Sequence, residues 1–339
     1  MGAPGFDAAF YAGKRVLVAG GTGVIGIPTV GLLAAAGAEV TVVSVDPEAY
    51  AASVLPPQVT FRRMDLTELD RCLEATRGQD VVLNLVGIKG STGIGETKVA
   101  SYLVPMLRFQ TNLMDAAFRN EVGRFLFVSS ICGYPCSDQP KREETLWDGL
   151  PKQNDRIPGL AKRIGEVQGE AYLKEYGWDA VRIIRPSNVY GPHDDFNPAT
   201  AQVIPALIRR CLDGENPLVV WGDGSALRDF VFSRDVAAWA LDVTARGPAC
   251  EPLNLGMGQG VSIRELAEAV VSVVDPTLTL AWDPTKPTGD PVRILSMEKT
   301  TALLGPLRRT PLVEGLRQTV AWYRQARASG KPPLERHHG

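Results

Sequence analysis

Short apolar runs alternate with segments of helical spacing along the first half of the chain. The runs, which are typical of buried parallel strands, lie at residues 16–19, 39–45, 59–62, 81–86, 124–130 and 180–184. The helical spacing predicts one helix that ends near residue 36 and others at residues 66–76, 101–120 and 158–176. Because parallel strands need crossover connections, this alternation predicts an α/β fold with a doubly wound parallel sheet.

The alternation weakens after residue 185, where proline, glycine and polar residues become frequent. Further helices are predicted at about residues 200–213, 233–246, 262–274 and 311–328. We therefore predict a first lobe over residues 1–185 and a smaller, mixed α/β lobe over residues 186–330 that packs over the carboxyl edge of the sheet. Residues 331–339 are expected to form a frayed tail.

Composition and charge narrow the classes of function. The 339 residues are 45% hydrophobic and 22% charged with a net charge of −2, so binding to nucleic acid or to an acidic membrane is not expected. Glycines interrupt the uncharged stretch 16–38, which favours a strand, a turn and a helix over a membrane span, and the start of the chain lacks a secretory-signal pattern. Five cysteines favour free thiols in a reducing cytoplasm, and three histidines, two of them in the tail, make a metal site unexpected.

A glycine-rich turn follows the first strand in the segment VLVAGGTGVIG. Gly20 would permit a tight turn, Gly23 would let the backbone approach a diphosphate, and Gly26 would let the helix pack against the strand. The helix N-terminus would then offer free N–H groups to phosphates. The segment predicts a Rossmann-type dinucleotide site formed by Gly20, Thr22, Gly23, Val24, Ile25 and Gly26.

The end of the second strand bears on the choice between NAD and NADP. Asp46 favours NAD, because an acid in this region accepts the ribose 2′-hydroxyl. Ser44 would tolerate a 2′-phosphate, but no arginine lies close by in the sequence to pair with one. The sequence therefore favours NAD and leaves NADP open. Asp65 and Leu66, after the third strand, are expected to contact the adenine.

Seven segments resemble the extended short-chain dehydrogenase/reductases, which include nucleotide-sugar epimerases, dehydratases and reductases. Within that family the chain is most similar to the GDP-fucose synthase branch, and the resemblance covers nearly the whole chain. It implies a cofactor on the first lobe, a nucleotide-sugar against the second, and a homodimer formed through the helices at 101–120 and 158–176. The segments are GGTGVIG, SSICGYP, AKRIGEVQGEAY, RPSNVYGPHDDFNP, VIPALIRR, VVWGDGSALRDFVFSRDVA and TKPTGDPVR.

The resemblance also implies roles for particular residues. Ser130 would hydrogen-bond the reacting hydroxyl or ketone, and Lys162 would hold the nicotinamide ribose and lower the pKa of a nearby acid. In the synthase branch the position of Cys132 carries a thiol that moves protons next to a ketone. The nucleotide diphosphate would lie along Asn188, Arg210, Arg228 and Lys286.

Two positions depart from the family pattern. In PGLAK, residues 158–162, Pro158 stands where the family has the tyrosine that passes the hydroxyl proton. Gln202 takes the substrate-facing place of the histidine that partners the cysteine, so the thiolate at Cys132 loses an obvious stabiliser. Tyr134, Cys132, a water held by Ser130 and Lys162, or a carboxylate on the substrate itself could replace the phenol. Because Pro158 falls in the first turn of a helix, it does not disturb the fold.

These features predict an NAD(P)-dependent enzyme that acts on a nucleotide-linked sugar, most simply an epimerase that oxidises a ring carbon transiently. A net reductase of a keto-sugar is an alternative. A non-catalytic protein that binds both ligands is another, given the residues at 158 and 202. Lys89, after the fourth strand, could meet the sugar or a carboxylate on it, or it could be an exposed loop lysine.

Overall fold

The computed structural model describes residues 5–88, 99–286 and 289–330. Its strands are β1 Arg15–Ala19, β2 Glu39–Ser44, β3 Thr60–Arg63, β4 Val81–Asn84, β5 Arg124–Val128, β6 Val181–Pro186, β7 Asn188–Tyr190, β8 Leu218–Trp221, β9 Leu227–Arg228, β10 Phe230–Phe232, β11 Leu253–Leu255, β12 Val261–Ser262, β13 Leu280–Asp283 and β14 Val292–Arg293. Its α-helices are α1 Ala8–Tyr11, α2 Gly26–Ala35, α3 Glu48–Val54, α4 Leu69–Thr76, α5 Val99–Arg119, α6 Arg156–Tyr176, α7 Val203–Leu212, α8 Ser233–Arg246, α9 Ile263–Val274, α10 Glu298–Leu304 and α11 Leu312–Ala328. Short 3-10 helices lie at Ile131–Gly133, Glu143–Trp147 and Gln153–Asp155.

A parallel sheet of seven strands in the order β11-β6-β5-β4-β1-β2-β3 forms the first lobe. Helices α2 and α8 cover one face, where Leu33 and Trp239 are fully buried, and α4, α5 and α6 cover the other, where Leu113 is fully buried. The apolar runs of β1, β4 and β5 are buried on both faces because helices lie on each side. The predicted doubly wound α/β fold is confirmed.

The seventh strand comes from the second half of the chain. After β10 the chain returns to the first lobe with α8, and β11 then pairs with β6. The boundary that we predicted at residue 185 therefore does not divide the sheet. Strand β11 has only three residues, which is too short for a periodic pattern to reveal it.

Two short two-stranded sheets, β10-β7 and β13-β8, and the three-stranded sheet β12-β9-β14 build the second lobe with α7, α9 and α11. Ile208, Leu266, Val270 and Leu316 are fully buried in its core.

Two strands end before the residues predicted from the sequence, and both lie at the site. Strands β4 and β5 end at Asn84 and Val128, so the following residues lie beyond the carboxyl edge of the sheet. Helix α6 begins at Arg156 rather than at Pro158. Pro158 is thus the third helical residue, where a missing N–H leaves no helical hydrogen bond unmade.

Candidate active site

A tight turn at the end of β5 carries two of the predicted catalytic residues. Ser130 is extended, and its Oγ accepts a hydrogen bond of 3.1 Å from the backbone N–H of Cys132 at the start of the 3-10 helix. This cap fixes the serine hydroxyl and the cysteine thiol on one short turn. Both side chains are half-buried.

Helix α6 packs against the turn formed by residues 130–133 and donates a hydrogen bond to it. Arg163 donates from Nε to the carbonyl oxygen of Gly133 at 2.9 Å, and from Nη2 to that of Gly149 at 2.7 Å. Gly159 lies against the turn so closely that a Cβ would overlap the carbonyl oxygen of Cys132 and would approach Pro151 Cγ at 2.9 Å. The glycine of PGLAK therefore allows the helix and the cysteine turn to touch, which no local sequence pattern indicates.

Gly159→Ala should lower the free energy of unfolding by about 1–3 kcal/mol, the usual cost of overpacking a close contact. This loss should exceed the gain of about 1 kcal/mol that alanine brings inside a helix. Gly31→Ala in α2 is the matched control, because a Cβ there meets open space, and it should not destabilise. Denaturant unfolding of both variants measures the difference, and equal behaviour of the two would contradict the close contact.

Lys162 is buried beneath the turn, with 8% of its surface exposed and its ammonium 5.3 Å from the centre of the Phe127 ring. Its Nζ donates no hydrogen bond to the described residues. Burial lowers the pKa of Lys162 to about 8, while the charges of Cys132 and Glu166 raise it in part. An amine held this way can gain a hydrogen-bond partner and a neighbouring charge when a ligand binds.

The thiol of Cys132 has a cationic partner that the sequence did not reveal. Arg293 on β14 donates from Nη2 to Cys132 Sγ at 3.0 Å and from Nη1 to Asp155 Oδ2 at 2.7 Å. The expectation that the thiolate lacks a stabiliser is therefore wrong, because a guanidinium from the second lobe faces it. Burial still raises the pKa of Cys132, whereas the charge of Arg293 lowers it.

Arg293 is the last residue of TKPTGDPVR, one of the segments that resemble the family, so the sequence did mark this arginine. Nothing in the sequence indicated that it contacts Cys132. Asp155, three residues before Pro158, had no such signal. Tyr102 on α5 was also missed. Its hydroxyl donates to the carbonyl oxygen of Ile88, and its pKa is raised by burial and by the nearby Cys132 and Asp155.

Tyr134 lies away from this cluster of side chains. It is 5% exposed, and its hydroxyl donates to Asn254 Oδ1 at 2.7 Å and accepts from Arg185 Nη1 at 2.8 Å. Burial raises its pKa. Both hydrogen bonds hold the phenol in a buried network behind the turn, which favours a packing role for Tyr134 over proton transfer.

The glycine turn has the tight geometry that the sequence predicted. Gly20 has φ +78°, and a Cβ there would approach the Leu85 backbone at 2.9 Å. A Cβ on Gly26 would overlap the carbonyl oxygen of Gly20, so the helix can begin only with glycine at this position.

The N-terminus of α2 is open to a phosphate. Ile25 is the N-cap of α2 and makes no side-chain capping hydrogen bond, so no side chain of the cap competes with a phosphate. Thr22 and Val24 are buried, and Gly23 and Ile25 are half-buried in the same turn.

Near the end of β2, Asp46 is 7% exposed and accepts from Thr22 Oγ1 at 2.6 Å. The sequence suggested that no arginine lies near Ser44, but the structure places one there. The β2–β3 register sets Arg63 opposite Ser44, and Arg63 Nε donates to the Val45 carbonyl oxygen at 3.1 Å. An acid and an arginine therefore flank the same strand end.

The residues that we predicted to contact adenine lie just beyond β3. Leu66 is buried, and the carboxylate of exposed Asp65 accepts from the backbone N–H of Thr67 at 2.9 Å.

The predicted diphosphate ligands are dispersed over the second lobe. Asn188 donates to the Asp229 carbonyl oxygen at 2.9 Å, and Arg228 Nη1 donates to that of Asp290 at 2.6 Å. Arg210 is paired with Glu215, at 2.7 Å from Nε, so a phosphate would have to compete with that carboxylate.

Two other predicted contact residues of this lobe are exposed. Lys286 has its ammonium 5.8 Å from the centre of the Trp221 ring, and Gln202 forms the N-cap of α7. Lys89 lies outside the described residues.

Within the described part of the chain, no helix is long and apolar enough to cross a bilayer. Nor do three or more His, Cys, Asp or Glu side chains in residues 5–88, 99–286 and 289–330 form a group that could hold a metal ion.

The chain is similar in sequence to known proteins. Residues 16–256 match the model of the NAD dependent epimerase/dehydratase family. The chain is 37% identical over 239 residues to GDP-L-fucose synthase 1 of Arabidopsis thaliana, covering 69% of this chain and 73% of that protein. It is 30% identical over 321 residues to a dTDP-4-dehydro-6-deoxy-D-allose reductase of a Streptomyces species, covering 93% of this chain and 97% of that protein. The predicted family is confirmed.

Solved structures share the fold over almost the whole chain. An epimerase of Methanothermobacter thermautotrophicus superposes with a TM-score of 0.84 at 24% identity, covering 96% of this chain and 97% of that one. A GDP-L-fucose synthetase of Naegleria fowleri bound to NADP has a TM-score of 0.78 at 22% identity, covering 94% and 95%. A dTDP-glucose 4,6-dehydratase of Streptomyces venezuelae with NAD bound has a TM-score of 0.79 at 26% identity, covering 93% and 98%. Proteins of this fold therefore include both NAD and NADP binders.

Proposed function

Because the chain belongs to the NAD dependent epimerase/dehydratase family, we propose that it transfers hydride between a nicotinamide cofactor and a ring carbon of a nucleotide-linked sugar. Its simplest activity is that of an epimerase, in which a transiently oxidised ring carbon is reduced on its other face. The observation that carries the proposal is the meeting of Ser130, Cys132 and Lys162 at the carboxyl edge of the sheet, the edge that also carries a glycine turn without a competing cap.

The chain's own residues would bind and orient the reactants. The turn from Gly20 to Gly26 would hold the cofactor diphosphate, and Lys162 would hold the nicotinamide ribose. When bound, the cofactor supplies or accepts the hydride. Ser130 would hydrogen-bond the reacting oxygen of the sugar, and Arg228 and Lys286 would attract the nucleotide phosphates. Exclusion of water by the second lobe would strengthen each of these contacts.

A net reductase of a keto-sugar is the second candidate. The names of two relatives favour it: the chain shares 37% identity with a GDP-L-fucose synthase and 30% with a dTDP-keto-sugar reductase. In that reaction the chain would consume reduced cofactor instead of recycling it.

The experiment uses the purified protein with GDP-, UDP-, dTDP- and CDP-linked hexoses, with and without NAD+, NADP+ or their reduced forms. Proton NMR detects isomers, and the absorbance of reduced nicotinamide detects net redox change. An isomer without net change supports the epimerase, and stoichiometric consumption of cofactor supports the reductase. Calorimetric binding of cofactor and nucleotide-sugar without turnover of any pair would overturn both and favour the non-catalytic binder.

For the cofactor we propose a preference for NAD(H), set by the carboxylate of Asp46, with Arg63 as the opposing group. Asp46→Ala should tighten NADPH binding relative to NADH by about tenfold, since a nearby like charge no longer repels the 2′-phosphate. Arg63→Ala should weaken NADPH alone. Fluorescence titration of both reduced cofactors measures the ratio. Arg71→Ala, an exposed arginine on α4, is the control. Unchanged ratios in both variants would refute these assignments.

We also propose a homodimer through α5 and α6. These neighbouring helices expose three apolar side chains, those of Val104, Ile164 and Val167, at 43%, 46% and 45%, and exposed apolar side chains on a pair of packed helices favour an interface. Ile164→Glu should convert the dimer into a monomer by light scattering. Val313→Glu, at an exposed valine on α11, should not. A monomeric wild-type protein at micromolar concentration would reject the dimer.

A further inference from the structure

We propose that Cys132, Arg293 and Asp155 form one proton-transfer unit that replaces both groups missing from the family pattern, the phenol at position 158 and the imidazole at position 202. In this unit the thiol exchanges the proton with the sugar oxygen, Arg293 faces the thiolate, and Asp155 positions Arg293. The inference rests on the proposed hydride transfer, because it assigns the proton that accompanies the hydride.

The contacts that join the three side chains are short and directional. One guanidinium nitrogen of Arg293 lies 3.0 Å from Cys132 Sγ, and another lies 2.7 Å from Asp155 Oδ2. A planar guanidinium with both ends engaged has one orientation, so the cation cannot swing away from the sulfur. The Arg293 side chain is 17% exposed and that of Asp155 is 22%, so solvent screens the unit only in part.

The unit lies beside position 158, where the family has its phenol. Cys132 follows Ser130 on the capped turn, and the backbone of Gly159, next to Pro158, contacts the carbonyl oxygen of Cys132. Lys162 is close enough for the charges of the amine and the thiol to influence each other. The serine, the lysine and a titratable proton therefore meet here, with a thiol in place of a phenol.

The surrounding charges act on the thiol in opposite directions. The charge of Arg293 lowers the pKa of Cys132, and the charge and hydrogen bond of Asp155 raise it. The other titratable groups facing the thiol are Lys162 on α6 and Tyr102 on α5. Burial raises the pKa of the thiol most, so the proton stays on sulfur in the free protein and is available for a ketone oxygen.

The step balances with water as the only further reactant. Before the sugar is oxidised, the Cys132 thiol releases its proton to water. The O–H proton of the sugar then moves to the Cys132 thiolate, the C–H hydrogen of the sugar leaves with the electron pair to the nicotinamide, and C=O forms. When the ketone is reduced, the hydride returns to carbon, the S–H bond breaks, and its proton moves to the oxygen. The thiolate that results faces the guanidinium of Arg293.

The first test measures the thiol itself and needs no substrate. In a Cys136→Ser background, which removes the exposed thiol, the rate of iodoacetamide alkylation of Cys132 is followed against pH by peptide mass spectrometry. Arg293→Met should slow alkylation at fixed pH about tenfold or more, because a neighbouring opposite charge is lost. Arg293→Lys should restore part of the rate. Asp155→Asn should shift the profile to lower pH, opposite to Arg293→Met.

If Arg293 and Asp155 had only a structural role, their substitution would not shift the pH profile of Cys132 alkylation in opposite directions. Equal profiles for the wild type, Arg293→Met and Asp155→Asn would overturn the unit. Circular dichroism of each variant checks that it has folded. If Arg293→Met fails to fold, the comparison of Arg293→Lys and Asp155→Asn with the wild type still decides, because the same two shifts are expected from them in weaker form.

The second test uses the sugar and cofactor pair that turns over in the panel. Cys132→Ala should lower kcat by about 10²–10⁴-fold, the contribution of a positioned acid–base group, with little change in KM. Tyr102→Phe removes the phenol hydroxyl that faces the thiol and should lower kcat far less than Cys132→Ala does. The reverse result, loss with Tyr102→Phe and retention with Cys132→Ala, would overturn the assignment while leaving the proposed function intact. Absence of turnover across the panel would instead reject the proposed function, and the alkylation profiles would still decide on the charge pairing.

Discussion

Lys162→Met is expected to lower turnover by about 10²–10³-fold, the cost of removing one preorganised electrostatic group, and at the same time to stabilise the folded protein at neutral pH. The two effects share a cause. The ammonium of Lys162 is buried, and burial is the main reason that its pKa falls from 10.5 to about 8. A group that is costly to keep charged in the free protein is suited to meet a ligand that supplies the missing partner.

The sign of the stability effect follows from proton binding. Between pH 8 and 10.5 the unfolded chain holds the lysine proton more tightly than the folded protein. The lysine therefore destabilises the fold fully below pH 8, and this cost disappears as the pH rises to about 10.5. At pH 7 the methionine variant should gain up to about 3 kcal/mol, from 1.36 kcal/mol per pH unit of displacement.

Denaturant unfolding at pH 7 and near pH 10 measures this gain for Lys162→Met. Lys174→Met, at an exposed lysine on the same helix, is the control and should change neither stability nor turnover. Full turnover in the Lys162→Met variant would contradict the role of Lys162 in the proposed function. A loss of stability at pH 7 in Lys162→Met would contradict the idea that burial of the charged amine destabilises the fold.

Arg185→Met is expected to lower the free energy of unfolding by about 3–5 kcal/mol, because it leaves a buried carboxylate without its partner. Arg185 on β6 donates to both carboxylate oxygens of Glu166 on α6, at 2.9 and 2.6 Å, and the two side chains are 3% and 1% exposed. The same guanidinium donates to Tyr134 Oη and to the Glu143 carbonyl oxygen, each at 2.8 Å. One side chain thus joins the sheet, the helix of Lys162 and the segment behind the cysteine turn.

The double variant Arg185→Met/Glu166→Leu is the decisive control. Replacing both charges with apolar groups removes the unpaired carboxylate, so most of the lost stability should return. Thermal unfolding should show the single change as a fall of roughly 6–20 °C, taking 2–4 °C for each kcal/mol. If the double variant melts as low as the single one, the loss comes from packing around Arg185 and not from the unpaired charge.

Local sequence was sufficient for the elements that depend on nearest neighbours. The apolar run of β1, the glycines at 20 and 26, and the helix that begins near Pro158 were all predicted, because backbone sterics and hydrophobic periodicity act within a few residues. Strand β11 was not predicted, because its three residues are specified by pairing with β6 and not by their own pattern.

Sequence distance was misleading at the site. Tyr134 is two residues from Cys132, but the 3-10 turn sends its phenol into the buried network with Arg185. Arg293 is 161 residues from Cys132 and contacts its sulfur. Arg63 is far from Ser44 along the chain, and the parallel register brings the two side by side.

The sequence by itself determined the α/β architecture, the glycine turn and the absence of a phenol at position 158, because each is a property of local residue types. Only the tertiary structure decided which groups face the Cys132 thiol and the strand end at Asp46. Those neighbours come from a different lobe or a different strand, and the packing of the lobes and the pairing of the strands, not spacing along the chain, set which charges meet across a few ångströms.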